Sequence, residues 1–104
     1  MTTMIRSLMV LLSIALLPIA THAADAAAGA KKAITCIACH GKDGISIAPN
    51  YPNLACQKDK YLVKAIKAYK SGARNDPMMK PMVGSLSDAD IENLAAFFST
   101  LNCK

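Results

Sequence analysis

Apolar positions recur at helical spacing in two stretches of the chain. Between Asp59 and Gly72, Tyr61, Leu62, Ala65, Ile66 and Tyr69 fall on one face, while Lys60, Lys64, Lys67 and Lys70 cover the others. That is an amphipathic helix with one side against a core, and Gly72 supplies its stop. A second stripe runs through Ile91, Leu94, Ala95, Phe98 and Leu101, starting from Ser87 with Asp90 at the capping-box position. A weaker segment, Ala24 to Ile34, is alanine-rich with Asp25 as its N-cap. No run alternates with the period of a strand. The pattern is that of an all-α domain with three main helices.

Two long loops separate these helices. Residues 41–57, GKDGISIAPNYPNLACQ, hold two glycines and two prolines; residues 73–84, ARNDPMMKPMVG, hold two prolines and three methionines. Neither has helical or alternating periodicity. Loops longer than about 12 residues are uncommon in a compact domain unless they have a function. Both make sense if each wraps one side of a large, flat, apolar ligand.

The first residues read differently from the rest. Arg6 precedes an apolar run from Leu8 to Ala20, and Thr21-His22-Ala23 places small residues where a signal peptidase cuts. This is the order of a secretory signal peptide over residues 1–23. The run, at about 13 residues, is short of the ~20 needed to span a bilayer, so no membrane span is expected in the mature form. What remains, residues 24–104, is one small domain, and a chain of that size often needs a metal, cofactor or disulfide to hold it together. Its charge is modest: the chain has 12 Lys/Arg, 7 Asp/Glu and a net +5, and losing Arg6 with the leader leaves +4. The lysines are dispersed without interleaved aromatics, which argues against nucleic acid. They suit solubility and guidance toward acidic partner surfaces.

Cys36-Ile37-Ala38-Cys39-His40 carries the chemistry. Its C-x-x-C-H spacing is that of covalent haem attachment. Two thiols about one helical turn apart can add across the two vinyl groups of one haem, and the adjacent histidine then lies under the iron as an axial ligand. A thioredoxin-like pair expects a βαβ context, which is missing. A structural zinc site usually pairs its ligand motifs, whereas Cys56 and Cys103 are isolated. A plain disulfide framework suits a small exported domain but leaves His40 unexplained. Haem c, one per chain, with its iron, accounts for all three residues.

The mature sequence resembles the class I bacterial cytochromes c, and most closely a single lobe of the periplasmic di-haem cytochromes c. The matching elements are Gly29 seven residues before CIACHG, the stretch APNYPNLA, and MMKPMVGSLSDADIENLAAFF near the end. The resemblance implies a small fold of three main helices with long loops wrapped around one haem. It also implies a methionine sulfur as sixth ligand, seven residues before Leu86, which selects Met79 over Met78 and Met82. It implies further that the Pro49 carbonyl accepts a hydrogen bond from the outer nitrogen of His40. Gly29 is expected to bring the first helix close to the last, against Phe97 or Phe98, and Tyr51, Tyr61 and Tyr69 are expected to pack. Cys56 stands where the family often has glycine; in an oxidising compartment it should pair with Cys103 as a structural disulfide.

With histidine and methionine in both axial positions, no site stays open for a substrate. The expected role is a periplasmic, monomeric carrier that exchanges single electrons with donor and acceptor proteins and is not an enzyme. Lys42, Lys58 and Lys80 are candidate rim charges of a small, transient interface. The alternative is a haem-bearing subunit of a larger periplasmic oxidoreductase, such as a flavin-containing sulfide dehydrogenase. A gas sensor or peroxidase would require a weak or missing sixth ligand.

Overall fold

The computed structural model describes residues 13–18 and 23–103. The leader assigned to residues 1–23 lies for the most part outside them. Five helices follow: α1 (Ala26–Lys32), α2 (Ile34–His40), α3 (Asp59–Ser71), α4 (Met79–Val83) and α5 (Asp88–Ser99). No strand occurs among the described residues, and the domain is all-α.

The two strongly patterned helices lie where their periodicity puts them. Gly72 ends α3 in the left-handed conformation, at φ 87°. Ser87 caps α5 in a complete capping box, with Ser87 Oγ accepting from the Asp90 N–H and the Asp90 carboxylate accepting from the Ser87 N–H, each at 3.0 Å. Ile91, Leu94, Ala95 and Phe98 are buried, and Leu101, past the helix end, is half-buried. On α3 the stripe is narrower than its pattern implies. Leu62 is buried and Ile66 half-buried, but Tyr61 turns out to solvent.

The helix expected over residues 24–34 ends at Lys32, and a second one starts two residues later. Asp25 does cap α1, its Oδ1 accepting the N–H groups of Ala27 and Ala28. The break falls at Ala33, which is fully buried. Alanine is the best helix former, so packing and not propensity makes this bend. It lets α1 lie along α5 while α2 turns away. α5 packs against both α1 and α3, with α4 resting on α3. The α1–α5 crossing depends on Gly29: a Cβ there would overlap the carbonyl oxygen of Asn93 and come within 2.9 Å of Phe97 Cβ. Asn93 Oδ1 also accepts the Asp25 N–H, at 2.8 Å.

The core built this way is thin. Ala33, Leu62, Leu94, Ala95 and Phe98 form its centre, and the only large, fully buried side chains among the described residues are Ile91 and Leu94. Cys36, Ile37, Leu54, Val63, Ile66 and Leu86 lean on that cluster but stay half-exposed.

Candidate functional site

α2 carries the paired thiols and the histidine in its last two turns. Cys36 and Cys39 are free of any disulfide and half-buried. Burial raises the Cys36 thiol above its ordinary range, opposed in part by a hydrogen bond with Thr35. A redox-active cysteine has the opposite signature, a depressed thiol, so the thioredoxin-like alternative finds no support in this environment. His40, the residue that ends the helix, is 7% exposed.

His40 Nδ1 lies 2.9 Å from the carbonyl oxygen of Pro52. A carbonyl can only accept, so Nδ1 carries the proton and Nε2 keeps a lone pair free for a metal. The acceptor is thus Pro52 and not Pro49. The cause is a compact turn at Ala48–Tyr51, closed by the Tyr51 N–H donating to the Ala48 carbonyl at 3.2 Å. Pro49 and Pro52 are both exposed, so the direction of the Pro52 carbonyl and not burial makes it the acceptor. Ser46 braces the turn: its Oγ donates to the carbonyls of Ala48 and Cys39 at 3.0 and 3.3 Å, and its N–H donates to Asn53 Oδ1 at 2.7 Å. Where the chain leaves the turn, Pro52 faces back toward α2. The Tyr51 ring stands near His40, with centroids 6.4 Å apart.

The second loop is not wholly irregular: residues 79–83 form α4. Met79 is half-buried there, whereas Met78 and Met82 are 57% and 51% exposed. Both ends of the loop are tied. Lys70 Nζ, from the last turn of α3, donates to the Leu86 carbonyl, and Arg74 lies over the Tyr69 ring, 4.4 Å from its centroid. Asp76 Oδ1 accepts the N–H groups of Met78 and Met79. Sequence reasoning passed over Asp76, although an Asp-Pro pair ahead of a short apolar run is a recognisable helix start.

Cys56 and Cys103 are brought into bonding contact with each other, their Cα atoms 5.4 Å apart, which is inside the range a disulfide spans. They are therefore not joined to Cys36 and Cys39 in one cluster. Among the described residues no group of three or more His, Cys, Asp or Glu side chains is placed to hold a metal ion.

These residues fit a haem. Two unpaired thiols stand one turn apart beside a histidine whose outward nitrogen is a ready ligand. Ile37, Leu54, Val63, Ile66 and Leu86 pack on the core with one side and leave apolar surface exposed on the other, which suits a large apolar group.

The comparisons with known proteins agree. A sequence profile described as Cytochrome c matches residues 26–102. Cytochrome c-554(548) of Halomonas halodenitrificans is 52% identical over 81 residues, covering 75% of this chain and 98% of that protein. Cytochrome c4 of Pseudomonas aeruginosa is 46% identical over 90 residues, covering 86% of this chain and 45% of that one. The crystal structure of reduced recombinant cytochrome c4 from Pseudomonas stutzeri superposes with a TM-score of 0.73 at 43% identity, over 77% of this chain and 47% of that one. The chain thus spans nearly all of the first relative but under half of either cytochrome c4. Paired thiols, a pre-set histidine and a profile match from α1 to the end of the described chain lead to one conclusion: this chain belongs to the cytochrome c family.

Proposed function

We propose that residues 24–104 form a periplasmic electron carrier with one covalent haem c, attached through Cys36 and Cys39 and held on the iron by His40 and Met79. The observation that carries the reading is the His40–Pro52 hydrogen bond, which fixes the tautomer a metal-bound histidine needs and makes it a stronger donor. The haem supplies a one-electron couple. With His40 and Met79 both engaged in holding the iron, the chain would offer no further position to a substrate, which supports electron exchange over catalysis. Of the three methionines Met79 alone is sheltered, which supports it as the ligand. Cys56 and Cys103, in this reading, form a structural disulfide.

Residues 1–23 are a cleaved leader in this reading, and export accounts for both the thioether chemistry and the disulfide. Among the described residues no helix is long and apolar enough to cross a membrane. The mature chain acts as a monomer between a donor and an acceptor protein. Its basic excess is concentrated: residues 58–80 hold seven Lys/Arg against two Asp, and the remainder of residues 24–104 holds four basic against five acidic residues. That segment, with exposed Lys58 and Lys80, supports a face for an acidic redox partner; Lys42 lies outside it.

The test is spectroscopic. The oxidised protein should show the weak far-red sulfur-to-iron band, retained in Met78→Ala and Met82→Ala and lost in Met79→Ala. A band that survives Met79→Ala overturns the ligand assignment. Intact mass of the same preparation should equal residues 24–104 plus one haem, and size exclusion of native extract should show it free of any larger complex.

A further inference from the structure

One side chain sets the register of the Met-bearing loop. Asp76 Oδ1 accepts the Met78 N–H at 2.8 Å and the Met79 N–H at 3.0 Å, and the Asp76 carbonyl accepts the Lys80 N–H at 3.0 Å. Pro77 and Pro81 have no N–H to donate. Every backbone donor from residue 77 to residue 81 is therefore taken by Asp76. Pro77 sits at the first position of the turn, where a missing donor costs nothing. So short a helix cannot hold itself, because nucleation costs more than a single turn returns. The carboxylate thus decides where the turn begins.

Where it begins decides which sulfur points inward. Successive helical residues rotate by about 100°, so Met78 and Met82, four apart, project within about 40° of each other. Both are more than half exposed. Met79, about 100° from Met78, is the one turned toward the protein. A start displaced by one residue would exchange these roles. At the far end of α4 the buried Val83, four residues beyond Met79 and so on the same side, holds the rotation that Asp76 starts, and the Lys70–Leu86 contact fixes where the chain rejoins α5.

We propose that the Asp76 carboxylate is a positioning group that selects Met79, against Met78 and Met82, as the sulfur held to the haem iron. The proposal rests on the Met79 assignment made above. Asp76 does this as a hydrogen-bond acceptor and not as a charge, which separates two substitutions that both remove the charge. Asparagine and serine keep an accepting oxygen at the cap position; alanine does not.

The experiment uses the haem-loaded protein and imidazole, which competes with the methionine for the iron. Asp76→Ala should bind imidazole about five- to tenfold more tightly than wild type, the scale set by losing an N-cap. Asp76→Asn and Asp76→Ser should stay within about twofold, since both rank with Asp as caps. The denaturant midpoint of helix loss should fall in Asp76→Ala by no more than that same cap cost and stay at the wild-type value in Asp76→Asn and Asp76→Ser. The proposal is overturned if Asp76→Ala binds imidazole like wild type. It is also overturned if Asp76→Asn shifts as far as Asp76→Ala, or if Asn93→Ala, which removes an end contact of α1 away from this loop, tightens imidazole binding as much. Met79→Ala keeps the two readings apart. If it retains the far-red band, the ligand assignment and this proposal fall together. If it loses the band while Asp76→Ala binds imidazole normally, only this proposal falls.

Discussion

Cys56 is the one non-glycine residue among those described with a positive φ, at 54°. An L-residue held there costs about 1–3 kcal/mol. The cost is tolerated because both ends of the residue are used. Its N–H donates to the Phe98 carbonyl at 3.1 Å, and its side chain reaches Cys103. Replacing both cysteines by serine should therefore lower the unfolding free energy of the haem-loaded protein by on the order of 3–4 kcal/mol through lost chain constraint. Cys56→Gly with Cys103→Ser should lose about 1 kcal/mol less, since glycine relieves the left-handed strain. Guanidinium unfolding measures both; two double variants of equal stability would show that the backbone there is unstrained. As a proposal, the pairing was legible in the sequence, because only two thiols remain once C-x-x-C-H is set aside. The acceptor for His40 was not. Which loop carbonyl faces the ring is fixed by the Ala48–Tyr51 turn and its Ser46 bracing, and neither leaves a mark in composition.

Among the elements, α3 and α5 could be read directly because their patterns are long and their ends are signed by Gly72 and by Ser87 with Asp90. α1 was legible from its alanine run and its Asp25 cap, but its end at Lys32, and α2 and α4, escaped for different reasons. The bend at Ala33 arises from tertiary packing on a residue with no local reason to bend, and α4 is a short turn between two prolines that only a cap sustains. The signed end of α5 also makes a prediction. Asp90 sits below the ordinary carboxylate range, chiefly because it accepts the Ser87 backbone N–H, with Lys32 3.6 Å away adding to the effect. A carboxylate lowered in the folded state stabilises above its unfolded value, and that contribution is lost as pH falls through the lower, folded value. Asp90→Asn should thus depress the melting temperature at neutral pH, and progressively less as pH falls below the ordinary carboxylate value of about 4 toward the lower folded value. Thermal melts from pH 7 to pH 3 would show the two curves converging. A constant offset over that range would mean that the ionised carboxylate adds nothing to the cap.

At the scale of the whole molecule, the protein is divided into a part that packs on itself and a part that packs on something else. α1 and α5 meet through Gly29, Asn93 and Phe97 without help from any ligand. The segments 41–58 and 72–86 bury only Ala55 and Val83 among their apolar side chains; Leu54 and Leu86 stay half-exposed against the core, and Ile47, Met78 and Met82 face solvent. Two large, fully buried side chains are little for a domain of this length, and small domains in that position depend on a cofactor to close the deficit. The same deficit, seen in the sequence as three helices with two long loops, supported the haem that the C-x-x-C-H motif pointed to. Removing the two α2 thiols tests this division. A Cys36→Ala/Cys39→Ala protein purified without haem should keep much of its far-UV helical signal. Its amide protection should be confined to α1 and α5, with the two loops and α4 exchanging at rates near those of an unfolded chain. It should also be expanded and bind a hydrophobic dye, as compact states without fixed packing do. Hydrogen exchange read residue by residue decides the matter. Protection in segments 41–58 and 72–86 equal to that of the haem-loaded protein would mean that the loops are held by the chain alone, and that the thin core is sufficient after all.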